Sequence, residues 1–406
     1  MKNFKEEILE LCNYAKKSSK FYSHLYQNIN INSEEDFQKL PFTTSDMYYE
    51  NYEYLCSEFS SGRYVFSTGG TTGKPKYIYL SYKEFHLNIG AHGNSYKKAG
   101  INKNDRVGIF GIPGTLTSEF SVYLGLEKIG CFILPIGIFE DLNKISNLLI
   151  TFNINTLLLM PTDVINLINH CKTNNIKLHI DKIITGGEPL TDSMKKFIKD
   201  FFGNIHFGST YQSMDFGIIG YQTSKLASNE FIVNNKFQFL EVIDSFGNIL
   251  GDNQTGELVV TNLSRKLIPV IRYRTGDIVR LSNNRLFIEG RISNTPKIGG
   301  EKFQTDIIVD YLNKYNFFTG RYQYIISKKN HVDCILLKLE LSKEINNIEY
   351  IKEELRTLFL DKQLKLKEQI QSGAVHDLEF ELLLENEISF ILSEGTGKIK
   401  NLIDRR

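Results

Sequence analysis

Between Arg63 and Met160 short apolar runs of strand length alternate with stretches of helix length, a pattern few folds accommodate. Arg106–Gly111 and Cys131–Pro135 read as buried strands, with a helix over Ser118–Lys128 between them. Asn155–Met160 and Lys182–Thr185 are further apolar runs, each leading into a helix. Alternation of this kind predicts an α/β fold with a mainly parallel sheet flanked by helices. Residues 1–60 are polar and helical in character. After Gly217 the pattern changes to strands joined by short turns: Phe231–Val242, Glu257–Thr261, Asp277–Leu281 and Arg285–Glu289. These predict a β-rich, antiparallel subdomain. Ser, Asn, Thr, Pro and two glycines accumulate over Arg291–Gly300 and mark a break. Beyond it, helices over Thr305–Lys314 and Asn347–Leu358 and strands over Tyr322–Lys328 and Asp333–Glu340 predict a small, mobile α+β domain. The expected division is 1–293 and 295–406, with a hinge at Asn294. A length of 406 residues suits two domains better than one core.

Composition narrows the function classes. Forty-eight basic against forty-seven acidic residues give a net charge of +1, so no global nucleic-acid footprint is expected. The first residues, Met1–Glu7, carry no apolar core of a secretory signal. No apolar run approaches membrane-spanning length. Five scattered cysteines without metal-ligand spacing fit reduced thiols in a cytoplasmic protein.

One stretch carries chemistry on its own. Ser67-Thr68-Gly69-Gly70-Thr71-Thr72-Gly73-Lys74-Pro75-Lys76 lies between two short strands and combines three glycines, four hydroxyls and two lysines. Glycine lets backbone N–H groups approach a polyanion, and hydroxyls and ammonium groups orient phosphate oxygens. A Walker A loop does not fit: Thr68 stands where its first glycine belongs, and Pro75 replaces the metal-binding hydroxyl.

The stretch resembles the phosphate loop of the adenylate-forming superfamily, and other segments follow in that family's order. Gly186-Gly187-Glu188-Pro189-Leu190 resembles its adenine-side segment. Tyr273-Arg274-Thr275-Gly276-Asp277, Gly290-Arg291, Gly299-Gly300-Glu301 and Gly395-Thr396-Gly397-Lys398-Ile399 match its later motifs. The resemblance implies ATP-dependent activation of a carboxylic acid to an acyl-adenylate, with release of pyrophosphate. It implies Lys398, Thr68 and Lys76 as catalytic residues. The ATP and AMP contacts would be Ser67, Gly69, Gly70, Thr71, Thr72, Gly73, Lys74, Gly187, Glu188, Pro189, Tyr211, Gln212, Asp277, Ile288 and Arg291. Asp277 would accept from the ribose hydroxyls, and Lys398 would bridge carboxylate and phosphate.

Two positions depart from the family pattern. Its aromatic-Gly-x-Thr-Glu segment has two competing registers here. Phe207-Gly208-Ser209-Thr210-Tyr211 keeps the glycine and loses the acid; Tyr211-Gln212-Ser213-Met214-Asp215 does the reverse. A magnesium ion between phosphates needs oxygen ligands, which favours Asp215 as the metal ligand. Asn294 replaces the usual acidic hinge residue.

The acid is harder to read. Amino-acid-activating relatives carry an aspartate near the position of Thr117, and the acid nearby is Glu119. The missing counter-charge argues against an α-amino acid, and the compact length with Pro269-Val270-Ile271-Arg272-Tyr273 resembles the phenylacetate-CoA ligase branch. An aryl or arylalkyl acid is therefore expected, with Phe110, Phe120, Phe207 and Phe216 as candidate pocket residues. The acceptor is coenzyme A or the phosphopantetheine of an acyl carrier protein. The run Lys362–Lys367 reads as a solvated segment. The altered aromatic-Gly-x-Thr-Glu segment leaves open an ATP-binding sensor with little turnover, against which Lys398 argues. Oligomeric state stays open.

Overall fold

A computed structural model describes residues 6–56, 63–67, 77–111, 117–137, 141–234, 236–292, 296–298, 301–305, 307–384, 387–392 and 399–406. Two antiparallel strands, β1 (Arg63–Ser67) and β2 (Tyr77–Ser81), pair with Ser67 opposite Tyr77. Nine further strands follow: β3 (Arg106–Ile109), β4 (Phe132–Pro135), β5 (Thr156–Leu159), β6 (Lys182–Gly186), β7 (His206–Ser213), β8 (Gly217–Thr223), β9 (Glu230–Val233), β10 (Gln238–Ile243) and β11 (Thr255–Asn262). With β12 (Val270–Ser282) and β13 (Arg285–Arg291), β3 to β11 form one eleven-stranded sheet in the order β10-β11-β12-β13-β9-β8-β7-β6-β5-β3-β4.

The expected parallel sheet is the run β7-β6-β5-β3-β4, where every neighbouring pair is parallel. The central strand β5, Thr156 followed by three leucines, is buried along its whole length, as a strand covered on both faces requires. At β7 the sense changes: β8 pairs antiparallel with it, and the antiparallel strands extend the same sheet. The stretch Phe231–Val242, expected as one strand, is two strands that lie apart in the sheet, β9 beside β8 and β10 at the edge. Between the two strands the polar residues Asn234 and Lys236 interrupt the apolar alternation.

The N-terminal helices cover the antiparallel half. Ile8, Leu11, Tyr22 and Tyr26 share one core with Val242, Leu258, Val260, Ile271 and Leu286. Side-chain caps fix where several of these helices begin. Ser33 caps Glu34–Gln38 with Asp36 in a capping box, and Ser81 does the same for Tyr82–Ala99 with Glu84. Helices Tyr82–Ala99 and Thr117–Glu127 cross where both carry glycine; a Cβ on Gly93 would stand 2.7 Å from the Gly125 carbonyl oxygen.

Next to that crossing lies His92, 3% exposed, whose Nδ1 has no partner. Burial pushes its pKa down from 6.5 to about 4. Because the folded pKa lies below the unfolded one, the unfolded chain takes up the proton first. The stability held above pH 6.5 is therefore lost as pH falls toward 4, by roughly 3 kcal/mol at full effect. We expect His92→Phe to flatten the fall of the thermal midpoint over this range; parallel slopes in variant and parent would refute it.

The chain sorts into two compact units. One comprises Met1–Met160, His170–Pro189 and Asn204–Glu289, and the other Pro161–Asn169, Leu190–Gly203 and Gly290–Arg406. In the second, β14 (Lys297–Ile298) and β15 (Glu301–Lys302) pair as a short hairpin. A four-stranded sheet follows, from β16 (Phe318–Lys329), β17 (Val332–Leu341), β18 (Glu379–Leu384) and β19 (Leu402–Asp404), in the order β18-β17-β16-β19. Helix Asp192–Phe202 belongs to this unit because its first turn is tied there. The Ser193 amide donates to Asn313 Oδ1 at 2.8 Å, and a Cβ on Gly320 would meet Met194 Cγ at 2.8 Å. Within the lysine-rich run, Lys362 ends one helix and Leu364 begins the next. Leu366 is buried in the unit's core, so the segment is not simply solvated.

All five cysteines are free. Among the described residues no helix is long and apolar enough to cross a membrane, and no three or more His, Cys, Asp or Glu cluster as metal ligands.

Candidate active site

Three parallel strands, β5, β6 and β7, end at Leu159, Gly186 and Ser213. In open α/β sheets ligands bind outside such carboxyl ends. Gly186 carries the chain into Gly187, which turns with φ +80°, a conformation glycine adopts without strain. Glu188 is half-buried and Pro189 exposed.

Tyr211 and Gln212 stand near the end of β7. The Tyr211 ring packs against Phe216 and Phe231, at 6.1 and 5.9 Å between centroids, and its hydroxyl donates to Asp277 Oδ2. That bond joins residues 66 apart in the chain. Asp277 is aimed by an irregularity of β12. Glu257 pairs with Ile278 and Val259 with Arg274, so β12 carries two extra residues there. Bulges of this kind re-aim side chains beside functional sites. The bulge is held from inside. Thr275 Oγ1 donates to the Leu258 carbonyl at 2.9 Å and accepts from the Asp277 amide at 3.1 Å. Glu257 receives Arg274 Nε at 2.8 Å and the Gly276 amide at 3.2 Å, with Gly276 at φ +76°.

Asp215 lies in the turn after β7. The Tyr273 hydroxyl donates to its Oδ2 at 2.9 Å, and burial followed by the Asp215 charge raises the Tyr273 pKa. Buried Arg265 shares a small cavity of about 20 Å³ with Asp215 and Tyr48, and donates to the Met214 carbonyl at 2.9 Å. Burial lowers its pKa against the opposing charges of Glu84 and Asp215. Glu84 also accepts the Leu267 amide at 2.8 Å.

The structure thus brings Tyr211 to Asp277 and Tyr273 to Asp215. Ile288 lies half-buried in β13, and Arg291 ends that strand exposed. Ser67 is the last residue of β1. Thr68, Gly69, Gly70, Thr71, Thr72, Gly73, Lys74, Lys76, Asn294 and Lys398 lie outside the described residues. Of the phenylalanines expected to line a pocket, Phe120 is 48% exposed, and Phe216 packs on Tyr211 and Tyr273. Arg265 was not anticipated; its signal was a lone arginine within Leu263–Ile271.

A model of the family described as AMP-binding enzyme matches residues 39–264. The chain belongs to the AMP-binding enzyme family. A phenylacetate-coenzyme A ligase of Pseudomonas putida is 25% identical over 346 residues, covering 82% of this chain and 78% of its own. That of Aromatoleum evansii is 26% identical over 397 residues, covering 93% and 87%. A crystal structure of 2-hydroxyisobutyryl-CoA ligase in the postadenylation state matches with TM-score 0.78 at 18% identity, over 98% of this chain and 88% of that one. At that identity the likeness speaks for the fold.

In this AMP-binding enzyme the described donor set fits an adenosine. It offers an aromatic ring, a carboxylate held to that ring's hydroxyl, and a glycine turn at the end of a parallel strand. Asp215 offers a carboxylate of the kind taken by a magnesium ion shared with phosphates, which needs one or two protein carboxylates and not a dedicated protein cage.

Proposed function

We propose that this AMP-binding enzyme uses ATP and magnesium to activate a small aryl or arylalkyl carboxylic acid, and passes the acyl group to the thiol of coenzyme A. The Tyr211–Asp277 hydrogen bond at the carboxyl end of the parallel strands carries this reading. Asp277 accepts from ribose hydroxyls, while Tyr211, Gly187, Glu188 and Pro189 border the base. Ser67 and the loop 68–76 hold the pyrophosphate portion; the Thr68 hydroxyl donates to its oxygens and the Lys76 ammonium balances its charge. Ile288 and Arg291 complete the nucleotide contacts. A carboxylate oxygen attacks the α-phosphorus and pyrophosphate leaves, so charge builds where two anions meet. Lys398 neutralises that charge. Attack by a thiol sulfur on the acyl carbon then expels AMP and keeps the acyl group activated as a thioester. Asn294 serves as the hinge residue, in a chain whose second unit takes in Pro161–Asn169 and Leu190–Gly203 besides Gly290–Arg406, not residues 295–406 alone.

The relatives support this reading: two named phenylacetate-coenzyme A ligases align over most of their length. Acid-dependent pyrophosphate–ATP exchange across aryl, fatty and amino acids tests it, followed by thioester formation with coenzyme A or a holo acyl carrier protein. Exchange with aryl acids and thioester on coenzyme A is expected. ATP binding without exchange would assign a sensor, and thioester on the carrier alone would move the acceptor.

Bound magnesium would supply charge neutralisation between the phosphates. As its ligand, Asp215 should be needed at low metal. Asp215→Ala is expected to raise the magnesium concentration for half-maximal exchange on the order of 10- to 100-fold. A lowered thermal midpoint with unchanged magnesium dependence would leave Asp215 only its structural role beside Arg265 and Tyr273.

A further inference from the structure

Thr210 and Gln212 occupy alternate positions of β7 and reach the same neighbour, Gly186, at the end of β6. A Cβ built on Gly186 would lie 3.2 Å from Thr210 Oγ1 and 3.8 Å from Gln212 Nε2. Thr210 is 4% exposed. Its Oγ1 and Gln212 Oε1 are both shielded from solvent, and neither has a hydrogen-bond partner. Buried hydroxyl and amide oxygens are nearly always satisfied, and leaving one unpaired is costly. An unpaired hydroxyl and an unpaired amide oxygen, on two side chains that both come to Gly186 at the carboxyl end of parallel strands, mark a place where a ligand completes the bonding.

The face of the strand says which ligand. Successive side chains of a strand point to opposite faces. Tyr211, between the two, points to the face where its hydroxyl meets Asp277, the side given to the nucleoside. Thr210 therefore faces the other way, and Gln212, past a register shift where β8 carries one extra residue, comes to the same Gly186 as Thr210. Gly208, two residues earlier on that face, is closed over by helix Tyr82–Ala99: a Cβ there would stand 2.5 Å from the Ala99 carbonyl oxygen and 2.6 Å from Ile184 Cδ1. The missing Cβ at Gly186 leaves room beside Thr210 Oγ1 and the Gln212 amide. The second ligand of the reaction is the acid.

We infer that the acid activated by this enzyme carries a hydroxyl group, which donates to Gln212 Oε1 and accepts from the Thr210 hydroxyl. The inference rests on the acid-activating reading above. A hydroxyl is the small group that both donates and accepts, so it satisfies the amide oxygen and the threonine together. A bare phenyl or alkyl tail would leave both oxygens buried and unpaired, and sites built to bind a hydroxyl reject the analogue that lacks it far more strongly than apolar pockets discriminate by size.

The test pairs each acid with its hydroxylated counterpart: phenylacetate with 3- and 4-hydroxyphenylacetate, and straight-chain acids with their hydroxy forms. Pyrophosphate–ATP exchange is read for each. Calorimetry of non-hydrolysable acyl-sulfamoyl adenosines of the same acids gives a binding readout independent of turnover. One hydroxylated member is expected to exceed its parent on the order of 100-fold in kcat/KM and in affinity. Thr210→Val and Gln212→Leu should each collapse that ratio toward one, while Thr210→Ser, which keeps the hydroxyl, should retain it. Equal use of parent and hydroxylated acids, with exchange present, would overturn the inference and leave acid activation standing. Variants that weaken ATP binding alike with every acid would assign the pair to the nucleotide and also overturn it. Absence of exchange and of analogue binding for all acids would remove the acid-activating reading itself, and this inference with it.

Discussion

Replacing Lys398 by alanine is expected to lower acid-dependent pyrophosphate–ATP exchange by roughly 100- to 1000-fold, the usual cost of removing one group that stabilises developing charge. ATP affinity should change little, because the proposed nucleotide contacts lie in other segments. The reasoning is electrostatic: a carboxylate must approach an α-phosphate that is itself anionic, and one ammonium group on a long, flexible stem can touch both. The chain flanking the lysine supports a positioning role for a residue outside every motif. Gln323, fully buried on β16, donates from Nε2 to the carbonyls of Ile391 and Lys400 at 2.9 and 2.8 Å. Its Oε1 accepts the Ile391 amide at 3.1 Å. Leu392 and Ile399 form a β-bridge, and the Lys400 amide donates to the Ile391 carbonyl at 3.1 Å. Gln323 thus ties together both flanks of the segment that ends in Lys398. Gln323→Leu should lower kcat for exchange on the order of 10-fold with KM for ATP unchanged. A fall in thermal stability alone, at parental kcat, would reduce Gln323 to a structural residue. An unchanged exchange rate in Lys398→Ala would take the catalytic cation away from this segment.

How much of this could be read in the sequence depends on the range of each interaction. The parallel strands were legible because short buried stretches such as Thr156–Leu159 and Lys182–Gly186 centre on Leu and Ile and each lead into a helix. The place of β9 and β10 was not, since strand neighbours are chosen across the chain and Phe231–Val242 looks locally like one strand. The motif Tyr273–Asp277 was legible as a string, but not its division of labour. Bulged pairing sends Asp277 to Tyr211 and Tyr273 to Asp215, partners 66 and 58 residues away. Thr210 and Gln212 were two polar residues on a strand until the fold left their oxygens without partners. Gln323 had no signal, because its bonds run 68 and 77 residues along the chain to backbone atoms, which any sequence supplies.

Arg272→Ala should destabilise the fold by roughly 3–5 kcal/mol, the largest stability effect foreseen for a single side chain here. Arg272 is 2% exposed and sits at φ +46°, uncommon for a residue other than glycine. Its guanidinium pairs with Glu241 at 2.9 Å, donates to the carbonyls of Gln38 and Leu40 at 2.7 and 2.6 Å, and lies 4.1 Å over the Phe42 ring. Removing it strands a buried carboxylate and two carbonyls at once. Burial already raises the Glu241 pKa, with Arg272 opposing that rise, so without the arginine the carboxyl should take a proton and hold it. A folded pKa above the unfolded value means that stability falls as pH rises through the interval between them. The deficit of Arg272→Ala should therefore shrink on acidification from pH 7.5 to 5, read from denaturant midpoints followed by the tyrosine signal. The pair Arg272→Met with Glu241→Leu should recover most of the loss, since replacing both partners leaves no buried charge. A deficit independent of pH, or one the double variant fails to repair, would show that backbone strain at Arg272 and not the ion pair dominates. The consequence reaches the site through β12: the Thr43 amide donates to the Arg272 carbonyl at 3.0 Å and the Arg274 amide returns a bond to Thr43 at 2.9 Å. That pairing sets the strand from which Tyr273 reaches Asp215 and the bulge delivers Asp277. Loss of the arginine should thus weaken ATP binding at temperatures where the rest of the chain stays folded.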